Sequence, residues 1–443
     1  MISATLTATI RITDPSADLL RTMVAENTWP NPAYQEAVRM KRSVYGLDRD
    51  IVAYQHTSDG LILPRGYLSD LLALVPECPL DDQRKDVLAV FPPFQAKLRG
   101  YQEAAVEKLL CDQDGIVEAP TGAGKTLIGL AALSILGRRA LVLVHANELA
   151  QQWRRVIKAF FDTEPGMIGG GKWQEGTIFT IATLQTLHRN LERAQQTAEG
   201  YGAVLVDECH HVPASTFAEV LSYLPVKFRY GLSATPHRRD GLDVLIHRVL
   251  GPTRAVVTKA SVEATGGTVP AIVRVIETGF DPGLVNGWGE FVDALTLDEN
   301  RNRLVMATAE RAAARYPVLV LVDRVRHAEA LAALATMPCV LVHGSLPPKE
   351  RIAAMALIPH SRLTIGTLGL LGEGLDVGAW TALVLGAPIS SRTRLLQAIG
   401  RVVRAHSGKT RGYVADLVDS CAFAKASFRK RDIVYQECGI TLA

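Results

Sequence analysis

The chain has 443 residues, more than one hydrophobic core usually supports, and about 150 residues per domain suggests three units. Its 48% hydrophobic and 21% charged residues are typical of a globular protein and exclude a disordered or fibrous chain. The formal charge is +3, yet residues 1–95 carry 9 Lys/Arg against 12 Asp/Glu, so the basic excess lies in the remainder. That excess permits a phosphate-binding groove without requiring one.

The apolar runs and the cysteines indicate the cellular compartment of the protein. No apolar run approaches the roughly 20 residues that span a bilayer, and the N-terminus does not resemble a signal peptide. The six cysteines are scattered without a Cys-x-x-Cys pair, which disfavours a zinc ribbon and a disulfide framework. We expect free thiols in a cytoplasmic, nucleoid-associated protein, or in a nuclear one if the source has a nucleus.

The first 95 residues predict a small α+β accessory domain. Polar and apolar residues alternate over residues 4–12, 51–54 and 60–63, and prolines and glycines separate these segments. Aromatic residues such as Trp29, Tyr34, Tyr54 and Tyr67 could stack on bases, but packing in a small core is the better interpretation for most of them.

From residue 96 onward, short apolar segments alternate with helical patterns, which predicts parallel sheets covered by helices. Leu149, Trp153, Val156, Ile157 and Phe160 recur at helical spacing and form one apolar stripe. We expect two doubly wound α/β domains, at residues 96–255 and 256–443. The candidate strands are 115–118, 140–144, 177–182, 203–206 and 230–233 in the first domain, and 318–322, 340–343, 363–366, 382–385 and 413–417 in the second.

Residues 119–126 (APTGAGKT) lie between an apolar strand and a helical segment, as a phosphate-binding loop requires. Glycines let backbone N–H groups approach phosphate oxygens, Lys125 would neutralise the β- and γ-phosphates, and Thr126 would hold Mg²⁺. A glycine-rich turn with a surface lysine is the alternative, which the flanking strand and helix disfavour. The candidate nucleotide contacts are Ala119, Pro120, Thr121, Gly122, Ala123, Gly124, Lys125 and Thr126.

Residues 203–210 (AVLVDECH) form an apolar strand that ends in two carboxylates. In parallel sheets, ligands gather at such carboxyl ends. Asp207 would bind Mg²⁺, and Glu208 would orient and deprotonate the attacking water. Cys209, His210 and His211 suggest zinc, but adjacent residues cannot close a tetrahedral site and no distant ligand pair is evident.

Residues 397–404 (QAIGRVVR) would place Gln397, Arg401 and Arg404 on one face of a helix. Two guanidinium groups that reach a γ-phosphate from a separate domain act as arginine fingers. A solvated basic helix face is the alternative, and the position of this segment after the other motifs favours the fingers.

The order of these segments resembles that of superfamily 2 helicases over residues 96–443. Residues 98–102 (LRGYQ) resemble the segment that reads adenine, so Gln102 is the candidate base contact, with Arg99 beside it. Residues 119–126 resemble motif I, 207–210 motif II in a DECH form, 372–376 (GEGLD) motif V and 397–404 motif VI. Motif V adds Gly374 and Asp376 to the candidate nucleotide contacts. Residues 233–235 resemble motif III, which makes Ser233 and Thr235 the candidates for coupling.

Within this superfamily, residues 231–236 (GLSATP) and 238–243 (RRDGLD) are similar to the XPB and UvsW-like DNA helicases. In XPB an Arg-Glu-Asp triplet corresponds to Arg238, Arg239 and Asp240 of this chain, so the acid is replaced. Residues 31–34 (NPAY) and 63–66 (LPRG) resemble the extra domain of UvsW-like proteins, for which a duplex- or junction-sensing role is implied. The candidate nucleic-acid contacts are Asn147, which stands where arginine is usual, Thr183, Gln185, Arg324 and Thr367.

The resemblance implies two RecA-like domains that clamp ATP and Mg²⁺ and move from 3′ to 5′ on DNA, as a monomer. Single-stranded, duplex or branched DNA is the expected partner, in repair or recombination. The alternatives are an RNA helicase or remodeller and a nucleotide-gated binding protein without strand separation.

Overall fold

The computed structural model describes residues 2–120, 122–209, 214–234, 243–371, 380–406 and 408–443. The chain falls into two compact units, one that ends at Lys259 and another that begins at Ala260. No helix among the described residues is both long and apolar enough to cross a membrane.

The accessory region at the start of the first unit has its own sheet, in the strand order β5-β6-β2-β1-β7, and a separate pairing of β3 with β4. Alternate residues of β2 and β6 point into a small core around Ile10, Leu61 and Tyr67, because successive strand side chains face opposite sides. The elements are β1 (Ser3–Leu6), β2 (Thr9–Thr13), α1 (Ala17–Glu26), β3 (Thr28–Pro30), α2 (Pro32–Arg39), β4 (Asp50–Val52), β5 (Gln55–His56), β6 (Gly60–Pro64), a 3₁₀ turn (Arg65–Tyr67), α3 (Leu68–Leu74) and β7 (Leu80–Asp82).

The rest of the first unit is a doubly wound domain, whose sheet has the order β11-β10-β12-β9-β13-β14-β8-β15 and is parallel except at β11. The central strands are buried on both faces, which accounts for their continuous apolar sequences. The elements are α4 (Gly100–Leu110), β8 (Asp114–Glu118), α5 (Lys125–Leu136), β9 (Ala140–Val144), α6 (Asn147–Phe161), β10 (Gly166–Gly169), β11 (Lys172–Gln174), β12 (Phe179–Thr183), α7 (Leu184–His188), α8 (Leu191–Ala198), β13 (Ala203–Asp207), α9 (Ala214–Ser222), β14 (Phe228–Ser233), α10 (Asp243–Leu250) and β15 (Thr253–Val256).

The second unit contains a fully parallel sheet, in the order β18-β19-β17-β20-β21-β16-β22. Its elements are α11 (Lys259–Ala264), β16 (Ala271–Glu277), α12 (Trp288–Leu297), α13 (Glu299–Ala313), β17 (Val318–Val322), α14 (Val325–Leu334), β18 (Val340–Val342), α15 (Pro348–Leu357), a 3₁₀ turn (Ile358–His360), β19 (Leu363–Thr367), α16 (Leu368–Leu371), β20 (Ala382–Leu385), α17 (Arg392–Val402), β21 (Gly412–Val418), α18 (Ala422–Glu437) and β22 (Thr441–Leu442).

The two predicted α/β folds are confirmed, and each of the ten predicted strands is present within a few residues of its expected bounds. The sequence did not reveal β10, β11 and β15 of the first sheet or β16 and β22 of the second. The predicted boundary at residue 255 falls within β15, which pairs with β8 of the first sheet. The division into three domains remains a proposal. All six cysteines are free thiols.

The accessory region is attached to the first α/β domain by a buried arginine. Arg65 is 1% exposed and lies against Asp114, the first residue of β8, with its Nε 2.9 Å from a carboxylate oxygen. Its Nη2 donates to the other carboxylate oxygen of Asp114 and to the carbonyl oxygen of Lys227, and its Nη1 donates to the carbonyl oxygen of Val226. At Gly66, a Cβ would lie only 2.2 Å from the carbonyl oxygen of His247, so only glycine permits this contact.

A second buried arginine joins the same two parts. Arg229 donates from Nη2 to the carbonyl oxygens of Leu221 and Leu224, at 3.1 and 3.0 Å, and from Nη1 to that of Val249. These carbonyls lie at or near the C-terminal ends of α9 and α10, where a cation is favourable. Nη2 also donates to the carbonyl of Ala8, so one side chain links two helix ends to the accessory region.

Candidate functional site

The glycine-rich loop lies between β8 and α5, as predicted. Gly122 and Gly124 have φ values of 89° and 76°, which side chains with a Cβ rarely adopt. A Cβ on Gly124 would also lie 2.5 Å from Nε2 of Gln102. The loop therefore needs glycine at residue 124 for its backbone conformation, and a Cβ there would also displace the side-chain amide of Gln102. Thr121 is outside the described residues.

Lys125, the first residue of α5, lies beside the carboxylates predicted to act with it. Its Nζ is 3.4 Å from Oε1 of Glu208 and 3.3 Å from the carbonyl oxygen of Ala119. Thr126 follows in the first turn of α5 and is half-buried. The structure thus brings the ends of β8 and β13 together at one edge of the sheet, as expected from their parallel directions.

Asp207 is the last residue of β13, and its side chain is almost fully enclosed. Its Oδ2 accepts a hydrogen bond from Nε1 of Trp153 at 2.7 Å, and its Oδ1 accepts one from the backbone N–H of Glu208 at 3.0 Å. Burial raises the pKa of Asp207 to about 7, and the negative charge of Glu208 adds to this effect. A carboxylate in such a position is stabilised by a nearby cation.

Trp153 is a site residue that the sequence did not reveal. The helical spacing predicts only that it belongs to the apolar stripe of α6, and it is fully buried. Its indole N–H nevertheless holds Asp207, which lies 54 residues further along the chain. A buried tryptophan usually donates its indole N–H to an acceptor. The presence of a tryptophan in the stripe was therefore the one feature of the sequence that indicated a polar partner for this helix.

Glu208 has a φ of 48°, in the left-handed region that a residue with a side chain seldom occupies. Such conformations cost on the order of 1–3 kcal/mol and occur preferentially at functional sites. Its carboxylate is turned toward Lys125. We interpret the strained backbone as the means by which two consecutive residues, Asp207 and Glu208, both present their carboxylates at the site.

Gln102 is buried beside the glycine-rich loop, at the third residue of α4. Its Oε1 accepts a hydrogen bond from the backbone N–H of Arg99 at 2.9 Å, which closes a capping box at the start of the helix. Its Nε2 is the atom next to Gly124. The structure therefore places Gln102 near the loop, while Arg99 is exposed; their roles toward adenine remain predictions.

Ser233, the candidate for coupling, ends the strand that lies between the two nucleotide strands. Strand β14 pairs with β13 on one side and β8 on the other, and Ser233 is fully buried. Its carbonyl oxygen accepts a hydrogen bond from the backbone N–H of Ala119 at 2.9 Å. Cys209 is buried too, which raises the pKa of its thiol. His210, His211, Thr235 and residues 238–240 lie outside the described residues.

In the second unit, Gln397 and Arg401 lie on α17 and are 5% and 4% exposed. Arg404 does not lie on that helix, contrary to prediction, because α17 ends at Val402. The chain then pairs with residues 267–269, with an isolated bridge between Thr268 and Arg404. Burial lowers the pKa of Arg404 to about 10. Gly374 and Asp376 lie outside the described residues.

Three candidate nucleic-acid contacts lie together at the carboxyl edge of the first sheet. Asn147 follows β9, Thr183 ends β12, and Gln185 donates from Nε2 to the carbonyl oxygen of His145 at 2.6 Å. Residues 169–171 are three glycines that begin at the last residue of β10 at the same edge, with φ values of 149°, 58° and 81°. A Cβ on the first of them would lie 3.0 Å from the Thr183 side chain and 3.5 Å from Oδ1 of Asn147.

The other two candidates lie at the equivalent edge of the second sheet. Thr367 ends β19 and pairs in register with Val322, the last residue of β17. Arg324 follows two residues later, is half-exposed, and has its Nε 3.6 Å from Oδ1 of Asp293. Each candidate therefore lies at or just after the end of a parallel strand, where backbone and side-chain donors are available to a bound phosphate.

Two family models match the chain and together cover more than half of it. Residues 95–238 match the model described as "Type III restriction enzyme, res subunit", and residues 300–406 match "Helicase conserved C-terminal domain". The structure of "S. cerevisiae Dbp5 bound to RNA and ADP BeF3" aligns with a TM-score of 0.58 and 16% identity, over 78% of this chain and 90% of that chain. This structural likeness shows a shared fold of two RecA-like domains.

Two relatives carry names that state an activity. The chain is 35% identical over 187 residues to "DNA 3'-5' translocase XPB2" of Sulfurisphaera tokodaii, which covers 42% of this chain and 41% of that protein. It is 28% identical over 366 residues to "DNA 3'-5' helicase XPB" of Mycobacterium tuberculosis, which covers 77% of this chain and 65% of that protein. The matches thus span between two fifths and two thirds of these relatives.

The structure has two mainly parallel sheets, and the first carries a glycine-rich loop and paired carboxylates at its carboxyl edge. These features define a protein of the tandem RecA-like class. The chain belongs to the superfamily 2 helicases and is similar to XPB. Helicases of this class use ATP and bind nucleic acid.

Proposed function

We propose that this chain is an ATP-driven motor that moves along DNA from 3′ to 5′. The observation that carries the proposal is the meeting of Lys125, Asp207 and Glu208 at one edge of the first sheet. The DNA track and the direction are supported by the names of the two XPB relatives.

Each residue of this cluster has a chemical task in the proposal. Lys125 exchanges its contacts with Ala119 and Glu208 for the β- and γ-phosphates of ATP, which the loop backbone also binds. Asp207 and Thr126 offer carboxylate and hydroxyl oxygens, the ligands that Mg²⁺ prefers, and the raised pKa of Asp207 fits a group that awaits a cation. Mg²⁺ would neutralise charge on the phosphates, and Glu208 would orient the attacking water.

The second domain contributes the remaining parts of the proposed reaction. Gln397, Arg401 and Arg404 would contact the γ-phosphate, with the two arginines stabilising the charge that develops there. Arg404 would do so from the segment after α17, which its pairing with Thr268 holds in place. Gly374 and Asp376 would complete the nucleotide contacts.

The proposed track lies along the carboxyl edges of the two sheets. Asn147, Thr183 and Gln185 on the first sheet, and Arg324 and Thr367 on the second, would bind phosphates of the sugar–phosphate backbone. Such contacts make binding dependent on salt and nearly independent of base sequence. Ser233 and Thr235 would transmit the state of the nucleotide to this edge.

The ATPase rate of the full chain tests the proposal, measured alone and with single-stranded DNA, duplex DNA, branched DNA and RNA. DNA should stimulate the rate more than RNA does, and a 3′ tail should support strand displacement better than a 5′ tail. Lys125→Ala and Glu208→Gln should each reduce turnover by at least about a hundredfold. Lys108→Ala, which removes an exposed lysine from α4, should leave turnover unchanged.

Three results would contradict parts of this proposal. Retained turnover in Lys125→Ala would show that the loop has been assigned wrongly. Stronger stimulation by RNA than by DNA would favour an RNA helicase or remodeller. Tight nucleotide-dependent binding of DNA without turnover or movement would indicate a nucleotide-gated binding protein.

A further inference from the structure

Residues 39–49, which we call the basic loop, run from the last residue of α2 to the residue before β4 in the accessory region. All of them are exposed except Val44, which is half-buried. The loop contains Arg39, Lys41, Arg42 and Arg49 against a single acid, Asp48. It is therefore strongly basic within a region that is acidic as a whole, since residues 1–95 contain more acidic than basic residues.

Tyr45 stands at the tip of a turn in the basic loop. The backbone N–H of Leu47 donates to the carbonyl oxygen of Val44 at 3.0 Å, and Gly46 has a φ of 76°. A positive φ at the third residue is what a type II turn requires, and glycine supplies it. The N–H of Tyr45 donates to Oγ of Ser43 at 3.2 Å, which further orders the tip.

The side chain of Tyr45 is 96% exposed, so it contributes almost nothing to the packing of the protein. The next most exposed aromatic side chains among the described residues, Trp288 and Phe423, are only 38% and 37% exposed. An exposed aromatic ring on an ordered turn, with cations on both sides, is the kind of protein surface that binds single-stranded nucleic acid. The cations attract phosphates, and the ring can stack on an unpaired base.

A series of contacts within the first unit connects the basic loop with one group of candidate phosphate contacts. Asp48, in the loop, and Asp50, just after it, line a cavity of about 890 Å³ together with Glu219 of α9. Glu219 in turn lies 3.0 Å from Nε2 of His188, the last residue of α7. Helix α7 begins directly after Thr183, so the contacts between the basic loop and that end of the sheet run through the cavity, α9 and α7.

We propose that the basic loop is a second nucleic-acid contact, in which its four cations bind phosphates and Tyr45 stacks on an unpaired base. This inference rests on the proposed function, since it assigns a further site for the same partner. A base can stack on Tyr45 only where it is unpaired. The loop therefore recognises single-stranded segments and the ends of duplexes adjoining them, and adds little to the binding of a blunt duplex.

The test uses the full chain and fluorescein-labelled single-stranded and blunt duplex DNA, with affinity measured by anisotropy over a salt series. Tyr45→Ala should weaken single-strand binding about tenfold and barely change duplex binding, and Tyr45→Phe should restore it. Lys41→Glu combined with Arg42→Glu should weaken the binding of single strands and of duplexes. For single strands, the loss of two phosphate contacts should reduce the steepness of log K against log salt by about 1.4. Arg21→Glu, at a 75% exposed arginine on α1, should change neither affinity.

The outcomes separate this inference from the proposed function. If Tyr45→Ala and the charge-reversed variant both bind single strands as tightly as the wild type, with unchanged melting temperatures, the role of the loop is overturned. The proposal that the chain is a DNA motor is not affected by that result. Absence of any DNA-stimulated ATPase in the wild type would overturn the proposed function itself. The same variants are also tested with vesicles of phosphatidylcholine and phosphatidylserine. If they lose the vesicle binding of the wild type but keep its DNA binding, the loop serves a membrane surface and the inference is overturned.

Discussion

Replacing Asp207 by Asn should stabilise the protein at alkaline pH while it abolishes ATP hydrolysis. The carboxyl group has a pKa of about 7 in the folded protein against 3.8 as a reference, mainly because it is buried. A raised pKa means that the folded state binds more protons than the unfolded chain between these two values. The stability contributed by Asp207 is therefore present at low pH and is lost as pH rises toward 7 and beyond.

The size of the effect follows from the shift. Three pKa units correspond to about 4 kcal/mol, of which about 1.4 kcal/mol is lost between pH 6 and pH 8. Asparagine has a single acceptor oxygen, so it cannot serve both Trp153 and the backbone N–H of Glu208, which costs about 1–2 kcal/mol at every pH. The net gain of Asp207→Asn at pH 8 is then about 2 kcal/mol, with a smaller gain at pH 6.

Thermal unfolding of the nucleotide-free and magnesium-free protein measures this difference. The melting temperature of Asp207→Asn relative to wild type should rise by roughly 3 °C between pH 6 and pH 8. Groups remote from residue 207 act equally in both proteins, so the comparison isolates the interacting pair of Asp207 and Glu208. Adding Mg²⁺ at pH 8 should raise the melting temperature of the wild type and leave that of the variant unchanged.

An equal difference between the two proteins at both pH values would refute the reasoning, because it would mean that Asp207 does not titrate between pH 6 and pH 8. A rise in the melting temperature of Asp207→Asn with Mg²⁺, equal to that of the wild type, would place the metal elsewhere. These two results are independent, since the first concerns burial and the second the proposed metal.

Three further perturbations test other contacts. Arg65→Met should destabilise the first unit by about 3 kcal/mol, because it leaves the Asp114 carboxylate and two carbonyl groups without the donor that Arg65 supplies. Denaturation and limited proteolysis of the accessory region measure this effect, and unchanged resistance to denaturant and protease would contradict it. Gly124→Ala should weaken nucleotide binding at least about tenfold because of its φ of 76° and its contact with Gln102, and undiminished affinity in a fluorescent-nucleotide titration would contradict it. Arg404→Ala should lower turnover with nucleotide affinity largely kept, and unchanged turnover would exclude it as an arginine finger.

Much of the architecture could be predicted because it is recorded locally in the sequence. Central strands of parallel sheets are buried on both faces, so segments such as 140–144 and 318–322 are uninterrupted apolar runs. The phosphate-binding loop is equally local, since its glycines, lysine and flanking elements lie within a few residues. Edge strands such as β11 and β22 lack this signal because they are short and partly exposed.

The contacts that could not be predicted join residues that are far apart in sequence. Arg65 meets Asp114 across 49 residues, and Trp153 meets Asp207 across 54. No local pattern marks either pair, since an arginine or a tryptophan alone has many uses. The same reason explains the error at Arg404: the helical spacing is genuine, but pairing with residues 267–269 takes the chain out of the helix.

Helix α6 provides a direct physical link between the two sites proposed for the first domain, the nucleotide site and the candidate phosphate contacts. Its first residue, Asn147, lies among the candidate phosphate contacts, and Trp153, six residues later, holds the carboxylate of Asp207. At 1.5 Å per residue these positions are about 9 Å apart along one rigid helix. A change in the charge or ligation of Asp207 therefore acts on the indole N–H, and any resulting movement of α6 reaches Asn147. Strands β9, which precedes α6, and β13, which ends at Asp207, pair directly in the same sheet.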